Sequence, residues 1–434
     1  MKVIDKIRET DEDAQELVLT IEASAQEVDK TIKAFLKELN QREHEGFRKG
    51  KAPREVLENS VGGHAKAMGG VAEKLINEKG FEVVDNEGVI YLSEPEFNVE
   101  VQPEDGKPFQ FTVSGVVKPE LELTSYDPVT IEMPPDKATD AEVERQIQNL
   151  REYYYTLEVA EADYAAERGD FVNVQLTLET ENGIPVRGFN DVKRMIELGA
   201  STMPQEFTAA LLGCKAGEQH TFTFDASAEE GYSHLGSGPV TANAEVLDVR
   251  KKILPPLDDD LAIKSGAVDV ADLYKMVRIN INKDKREQLP RVMEDRALVA
   301  ASQRLAEDIP GYYMTFVRGR VQNEFMDRLQ KDGSNLQDFL LNNGVDGEKF
   351  QKDIADQAIY RATRDLTLDA IYRHNCEEVT QADLEAYFSG TDDVEDMLKS
   401  WKEAHHESNL RETVARAKAS SWLVDTAEVT VVED

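Results

Sequence analysis

A chain of 434 residues is too long for one hydrophobic core and predicts about three domains. Acidic residues outnumber basic ones 85 to 50, giving a formal net charge of -35 that excludes general nucleic-acid binding, because phosphate repulsion would act over most of the surface. Cys214 and Cys376 are the two cysteines, which excludes a disulfide framework or a thiol zinc cluster. The start, Met1 to Ile7, has no signal-like apolar core, and no run approaches membrane-spanning length. The expectation is a cytoplasmic protein with neither membrane nor DNA as partner.

Segment 1–122 reads as α+β. Leu17, Leu19 and Ile21 alternate with Val18 and Thr20 as a strand does, and Ser24 to Glu27 forms a capping box. The helix that follows places Val28, Ile32, Phe35, Leu36 and Leu39 on one face. It leads into Gly46-Phe47-Arg48-Lys49-Gly50-Lys51-Ala52-Pro53, and from Phe47 to Arg54 there are four basic residues and no acid. The glycines permit backbone angles other residues avoid, and Pro53 suits the first turn of a following helix. This spacing predicts a tight basic loop between two helices with Phe47 at its tip. Such a loop can pair with phosphates and acidic side chains while the ring enters a small apolar pocket; from charge alone, a solvated helix connection is the commoner meaning. Beyond it, Ala67, Met68, Val71, Leu75 and Ile76 mark a helix with Gly80 as its C-cap. Strand-like runs follow at 89–92, 97–99 and 109–113.

Residues 123–160 read as a linker with an arm helix. Pro128, Pro134 and Pro135 interrupt regular structure; Thr139 to Glu142 is a second capping box, and Val143, Ile147, Leu150 and Tyr154 form a stripe. Tyr153, Tyr154 and Tyr155 lie beside Glu152 and Glu158 and read as packing aromatics rather than a base-stacking platform. From 161 to 252 the period becomes two: Phe171 to Leu178 alternates, Asn182-Gly183 signals a hairpin, a short helix from Phe207 to Leu212 ends at Gly213, and strands return at 221–224 and 240–249.

From 253 to 434 the pattern is helical. Asp258, Asp259 and Asp260 lack the glycine and distal glutamate of a calcium loop and read as a solvated turn. Pro290 is expected to kink or interrupt its helix. Ile309-Pro310 opens another helix, Asn343-Gly344 stops one, and the last helices hold Leu384, Trp401, Leu410, Val414 and Trp422. His405 and His406 diverge if helical, and His44, His64, His220, His234 and His374 lack ligand spacing, so no metal is expected. No phosphate loop, dinucleotide fingerprint or nucleophile elbow is present, and no cofactor is expected.

The motif G-F-R-x-G-K-x-P closely resembles the ribosome-docking signature of trigger factors, bacterial chaperones at the exit of the nascent-chain tunnel. The domain order fits that resemblance over essentially the full length: an N-terminal ribosome-binding α/β domain at 1–122, the linker and arm helix at 123–160, an FKBP-like antiparallel β insert at 161–252, and an all-α chaperone domain with arms at 253–434. The resemblance implies that Gly46, Phe47, Arg48, Lys49, Gly50, Lys51 and Pro53 contact protein and rRNA of the large ribosomal subunit. It also implies ATP-independent binding of nascent and unfolded polypeptides in a concave cradle, and it allows a homodimer off the ribosome.

The insert resembles FKBP-type peptidyl-prolyl isomerases through Arg168-Gly169-Asp170, through Gly213 to Glu218, and through Glu229-Glu230-Gly231-Tyr232. These isomerases twist the prolyl peptide in an apolar aromatic cup, with no acid-base pair and no metal. Phe207 and Tyr232 match pocket aromatics, whereas Leu176, Val186 and Ala242 fall where aromatics are usual, and Met203-Pro204-Gln205-Glu206 replaces a Met-Ile-Pro-Gly stretch. A weak isomerase and a retained structural or client-binding insert both stay open. Two other functions compete with a ribosomal chaperone: a mainly soluble isomerase, against which the depleted pocket argues, and a ribosome-independent holdase, against which the intact loop argues.

Overall fold

Leu17, Leu19, Ile21 and Ala23 bury one face of β2 (Gln15–Ala23), as their alternation requires. In this computed structural model the described residues are 1–10, 14–227, 232, 235, 238–391 and 393–432; Glu229, Glu230, Gly231 and His234 lie outside them. The chain divides into two compact units, one of Met1–Pro134 with Pro290–Asp434 and one of Pro135–Leu289.

In the first unit β2 is joined by β1 (Lys2–Thr10), β3 (Glu96–Asn98) and β4 (Phe109–Val116) in an antiparallel sheet of order β1-β2-β4-β3. Its buried face packs on α1 (Ala25–Leu39) and α3 (His64–Asn86), where Val28, Ile32, Met68, Val71 and Leu75 meet Leu19, Ile21, Phe111 and Val113. Fully burying each such side chain contributes roughly 1.5–3 kcal/mol. The Ser24 capping box forms in both directions.

Three local readings change. Residues 89–92 form no strand; only Tyr91 bridges, to Val117. The edge strand β1 escaped notice because its Ile4 and Ile7 are exposed and give no burial alternation. Gly80 is not a C-cap. It lies within α3, which ends at Asn86, and a Cβ there would come within 3.0 Å of the Phe97 ring, so the glycine serves close helix–sheet packing.

The helical part of this unit comprises α8 (Gly311–Lys331), α9 (Leu336–Asn343), α10 (Gly347–Asn375), α11 (Gln381–Tyr387), α12 (Val394–Glu403) and α13 (Glu407–Thr426). Gly344 ends α9 in the left-handed region, as expected. His405 and His406 are not helical neighbours: they occupy the turn before α13, with His406 at its N-cap. Pro128 and Pro134 bracket a strand rather than breaking structure. That strand, β5 (Thr130–Met133), pairs in parallel with β11 (Glu428–Val431), which the sequence pattern had not revealed.

Polar contacts join sheet and helices. The Asp85 carboxylate at the end of α3 accepts the Glu407 and Ser408 N–H groups at 3.0 and 2.8 Å, capping α13, whose own N-cap side chain makes no such bond. Lys118, past β4, donates to Asp369 at 2.7 Å and also to Glu412. Arg416 holds Asp369 with two bonds of 2.8 and 2.9 Å and reaches Asp365 at 3.0 Å.

The second unit contains α4 (Asp140–Tyr153), β6 (Thr156–Val159), β7 (Phe171–Thr180), β8 (Val192–Glu197), α5 (Gln205–Ala210), β9 (Gln219–Asp225), β10 (Pro239–Ile253) and α6 (Asp259–Lys264). Its antiparallel sheet has the order β6-β10-β7-β8, with β9 also on β10. Val172, Val174, Leu176 and Leu178 of β7 all face the core. The acidic run is a helix start and not a solvated turn: Asp258 accepts the Leu261 N–H at 3.0 Å as N-cap of α6. Helix α7 (Val270–Ser302) runs through Pro290 without interruption. The proline is exposed, so the carbonyl it strands can bond to water, and the boundary between units falls there.

Asp365 and Asp369, one turn apart on α10, respond oppositely to burial. Burial raises the Asp365 carboxyl above the ordinary aspartate range, against the pull of Arg416. Burial pushes Asp369 the same way, but Lys118 and Arg416 outweigh it and hold that carboxyl below its ordinary 3.8. The Asp369 contribution to stability is therefore present above about pH 4 and lost as pH falls through its lowered value; that of Asp365 is present where it is protonated and lost as pH rises through its raised value. At neutral pH, Asp369→Asn is expected to lower unfolding free energy by about 3 kcal/mol, and Asp365→Asn to leave it unchanged or higher. Urea denaturation of the two variants checks this, and equal losses would contradict it.

A basic loop and a closed aromatic core as candidate functional sites

The loop between α1 and α2 (Arg54–Ser60) is built from two consecutive turns. Phe47 N–H donates to His44 C=O at 3.1 Å, and Lys51 N–H to Arg48 C=O at 2.9 Å. The third residue of each turn is a glycine, Gly46 at φ +80° and Gly50 at φ +79°, the angle a type II turn requires. The four-residue spacing of the glycines is thus the spacing of two turns, and Phe47 and Arg48 stand at their junction. Leu39, Ala52 and Leu57 close a small core beneath, so both feet of the loop are held by burial. Pro53 sits at the N-cap in extended conformation, one residue ahead of the first helical position expected for it.

Phe47 is 43% exposed, and Arg48, Lys49 and Lys51 are exposed. Among the described residues none of these three cations makes an ion pair, whereas the fourth, Arg54, is fully engaged. Its Nε bonds Glu58 at 2.6 Å and its two Nη atoms bond Asp105 at 2.8 and 2.7 Å. Asp105 and Glu58 hold the guanidinium still more firmly protonated than usual, and in return both carboxyls fall below their ordinary range. From Phe47 to Lys51 the loop therefore presents one ring and three cations that make no ion pair, with the exposed acids Glu43 and Glu45 just before them. Sequence reasoning missed its fasteners, Asn40 and His44: His44 Nε2 lies 2.8 Å from Leu39 C=O. An asparagine directly after the last apolar residue of α1 was the available signal, being a helix-stop pattern.

In the insert, Phe207, Tyr232, Leu176, Val186 and Ala242 do come together, in one cluster, and among the described residues they are core. Phe207, Leu176 and Ala242 are 0% exposed, Val186 6% and Tyr232 8%. Phe207 meets Phe222 and Phe224 edge-on, with ring centroids 5.2 and 5.5 Å apart. The Tyr232 hydroxyl donates to Ser201 C=O at 2.8 Å. Phe222 and Phe224 were read only as strand residues; their spacing of two, on one face of β9, was the overlooked sign. Among the described residues no three His, Cys, Asp or Glu side chains are placed to hold a metal ion. No helix among them is long and apolar enough to cross a membrane.

Family comparisons cover the chain in the same order. Residues 6–150 match the profile of bacterial trigger factor protein and residues 269–425 that of the trigger factor C-terminus, which together take in well over half of the sequence. Residues 162–248 match FKBP-type peptidyl-prolyl cis-trans isomerase. The chain belongs to the trigger factor family. It is 29% identical to the trigger factor of Geobacillus kaustophilus over 413 residues, spanning 93% of this chain and 96% of that one. With the trigger factor of Anoxybacillus flavithermus it shares 27% over 426 residues, 95% and 96% of the two chains. A solved trigger factor chaperone aligns over 97% of this chain and 99% of its own at 19% identity, with a TM-score of 0.42, too loose a likeness to bear on the fold. As a family member the chain is a ribosome-associated chaperone carrying a peptidyl-prolyl-isomerase-like domain.

Because Phe207 is core, its removal opens a cavity. Phe207→Ala is expected to destabilise the insert by about 3–5 kcal/mol, read as an earlier melting transition, rather than act only on turnover. An unchanged melt would show that the ring does not pack as described.

Proposed function

We propose that the chain docks on the large ribosomal subunit near the tunnel exit through Phe47, Arg48, Lys49 and Lys51, and there holds nascent and unfolded polypeptides in the cytoplasm without ATP. The observation that carries this reading is the pairing contrast within the loop: in a chain of net charge -35, Arg54 is neutralised while its three basic neighbours stand exposed and unpaired. Docking is assigned to 1–122, the arm linker to 123–160, the isomerase-like insert to 161–252 and client holding chiefly to 253–434. Neutralising two or three phosphates gives a log–log salt slope of about -1.4 to -2.1 with single-strand coefficients. Replacing Phe47, Arg48 and Lys49 together by alanine should abolish co-sedimentation with ribosomes while circular dichroism and melting stay as in the parent. A variant that still pellets like the parent removes the assignment.

For clients, each unit offers shallow apolar grooves. In the first, Leu298, Val299, Ile359 and Tyr360 line one of about 310 Å³; in the second, Leu150, Leu273, Met276, Val277 and Ile281 line one of about 390 Å³. Weak, dispersed contacts suit many sequences and release them without nucleotide hydrolysis.

The insert is read as a weak prolyl isomerase. Uncatalysed rotation faces a barrier of about 18–20 kcal/mol, and lowering it requires a dry cup open to the prolyl ring, which the burial of Phe207 and Ala242 does not offer. A short prolyl peptide should therefore turn over far more slowly than with a full aromatic pocket. Catalysis matching such a pocket would overturn this reading.

A further inference from the structure

The returning half of the basic loop is fastened to the end of α1 through one residue that carries no charge. Asn40, directly after α1, uses both of its acceptors on the returning strand of the loop: its backbone carbonyl takes the Gly50 N–H at 2.8 Å and its side-chain Oδ1 takes the Ala52 N–H at 3.1 Å. Its own N–H donates to Leu36 C=O at 2.9 Å, so the residue is fixed to the last turn of α1. Gly50 and Ala52 flank Lys51, and Gly50 is the third residue of the second turn. One residue thus pins the point where the chain turns back towards α2. Ala52 is 7% exposed, so without the amide oxygen its N–H has little access to water as a substitute.

We infer that Asn40 is the positioning residue of the docking loop, setting where Arg48, Lys49 and Lys51 present their charges without itself touching the partner. This rests on the reading of the loop as the ribosome contact. Of the other connections, Phe47 to His44 and Lys51 to Arg48 are internal to the two turns, and the His44 ring, with Nε2 2.8 Å from Leu39 C=O, ties only the first turn to α1; the bonds from the returning half of the loop to the helix end are those to Asn40. The buried Leu39, Ala52 and Leu57 hold the feet but carry no directional bond. Loss of the Asn40 side chain therefore leaves the loop formed, with the Gly50 N–H still on the Asn40 carbonyl, but loosens the Ala52 end of the returning strand.

The test compares Asn40→Ala, Asn40→Asp and the alanine replacement of Phe47, Arg48 and Lys49, all in the full chain. In Asn40→Ala the Ala52 amide should exchange with solvent about tenfold faster, amides of β2 and β4 should be unchanged, and ribosome affinity by co-sedimentation should fall about tenfold. Asn40→Asp keeps an acceptor for the Ala52 N–H and should restore slow exchange and, at raised salt in a matched comparison, most of the affinity. If the triple variant loses pelleting while Asn40→Ala pellets like the parent, the inference fails and the docking reading stands. If the Ala52 amide exchanges no faster in Asn40→Ala, the inference fails on its structural side. If the triple variant pellets like the parent, the docking reading fails, and the role of Asn40 in it fails too.

Discussion

The first unit depends on a small buried group of opposite charges. Its two stretches of chain are separated in sequence by the whole second unit, and they meet where Lys118, Asp365, Asp369, Glu412 and Arg416 converge. A carboxylate as buried as Asp369 is tolerable only with partners on several sides, and it has an ammonium on one and a two-bonded guanidinium on another. Apolar contact alone would leave the sheet free to slide on α10 and α13. The fork of Arg416 fixes α13 on α10, Lys118 ties the chain after β4 to both helices, and Asp85 of α3 caps α13, so directional contacts add to the apolar packing.

The same contrast between paired and unpaired cations organises the surface. Arg54, Lys118 and Arg416 are all spent on internal carboxylates, which removes them from any role in recognition. What remains concentrated and unpaired is the tip of the basic loop. A strongly acidic body is repelled by a polyanionic partner, but screening limits that repulsion to about 8 Å at physiological salt. Arg48, Lys49 and Lys51 are exposed on two tight turns and so are open to a counter-charge.

Much of this was readable in the sequence because short-range physics decides it. Both capping boxes, the alternation of β2 and β7, the Gly344 stop and the glycines of the basic loop each follow from the conformational needs of a few adjacent residues. The losses are of another kind. Gly80 looked like a cap because a glycine near the end of an apolar stripe usually is one, whereas a ring from β3 decided its role. The β5–β11 pair joins segments almost 300 positions apart, and the exposed edge of β1 carries no burial signal. At the candidate site, the charges and Phe47 were visible, but the fastening of Gly50 and Ala52 to Asn40 was not, since one half of it uses a backbone carbonyl. The fate of Arg54 was hidden for a different reason: Asp105, its partner, lies 51 positions along the chain.

The insert shows how substitution and packing act together. An apolar cup lined with fewer rings cannot simply stay open, because an unfilled cavity costs about 24 cal/mol per Å³. Here Leu176 and Ala242 lie fully buried in the insert's core, and Phe207 packs edge-on against Phe222 and Phe224. Tyr232 then bonds the Ser201 carbonyl across the same region, using its hydroxyl for structure. The insert's value to the chaperone would then lie in its outer surface and in the spacing it sets along the chain, and restoring rings one at a time would have to push against a core that is already full.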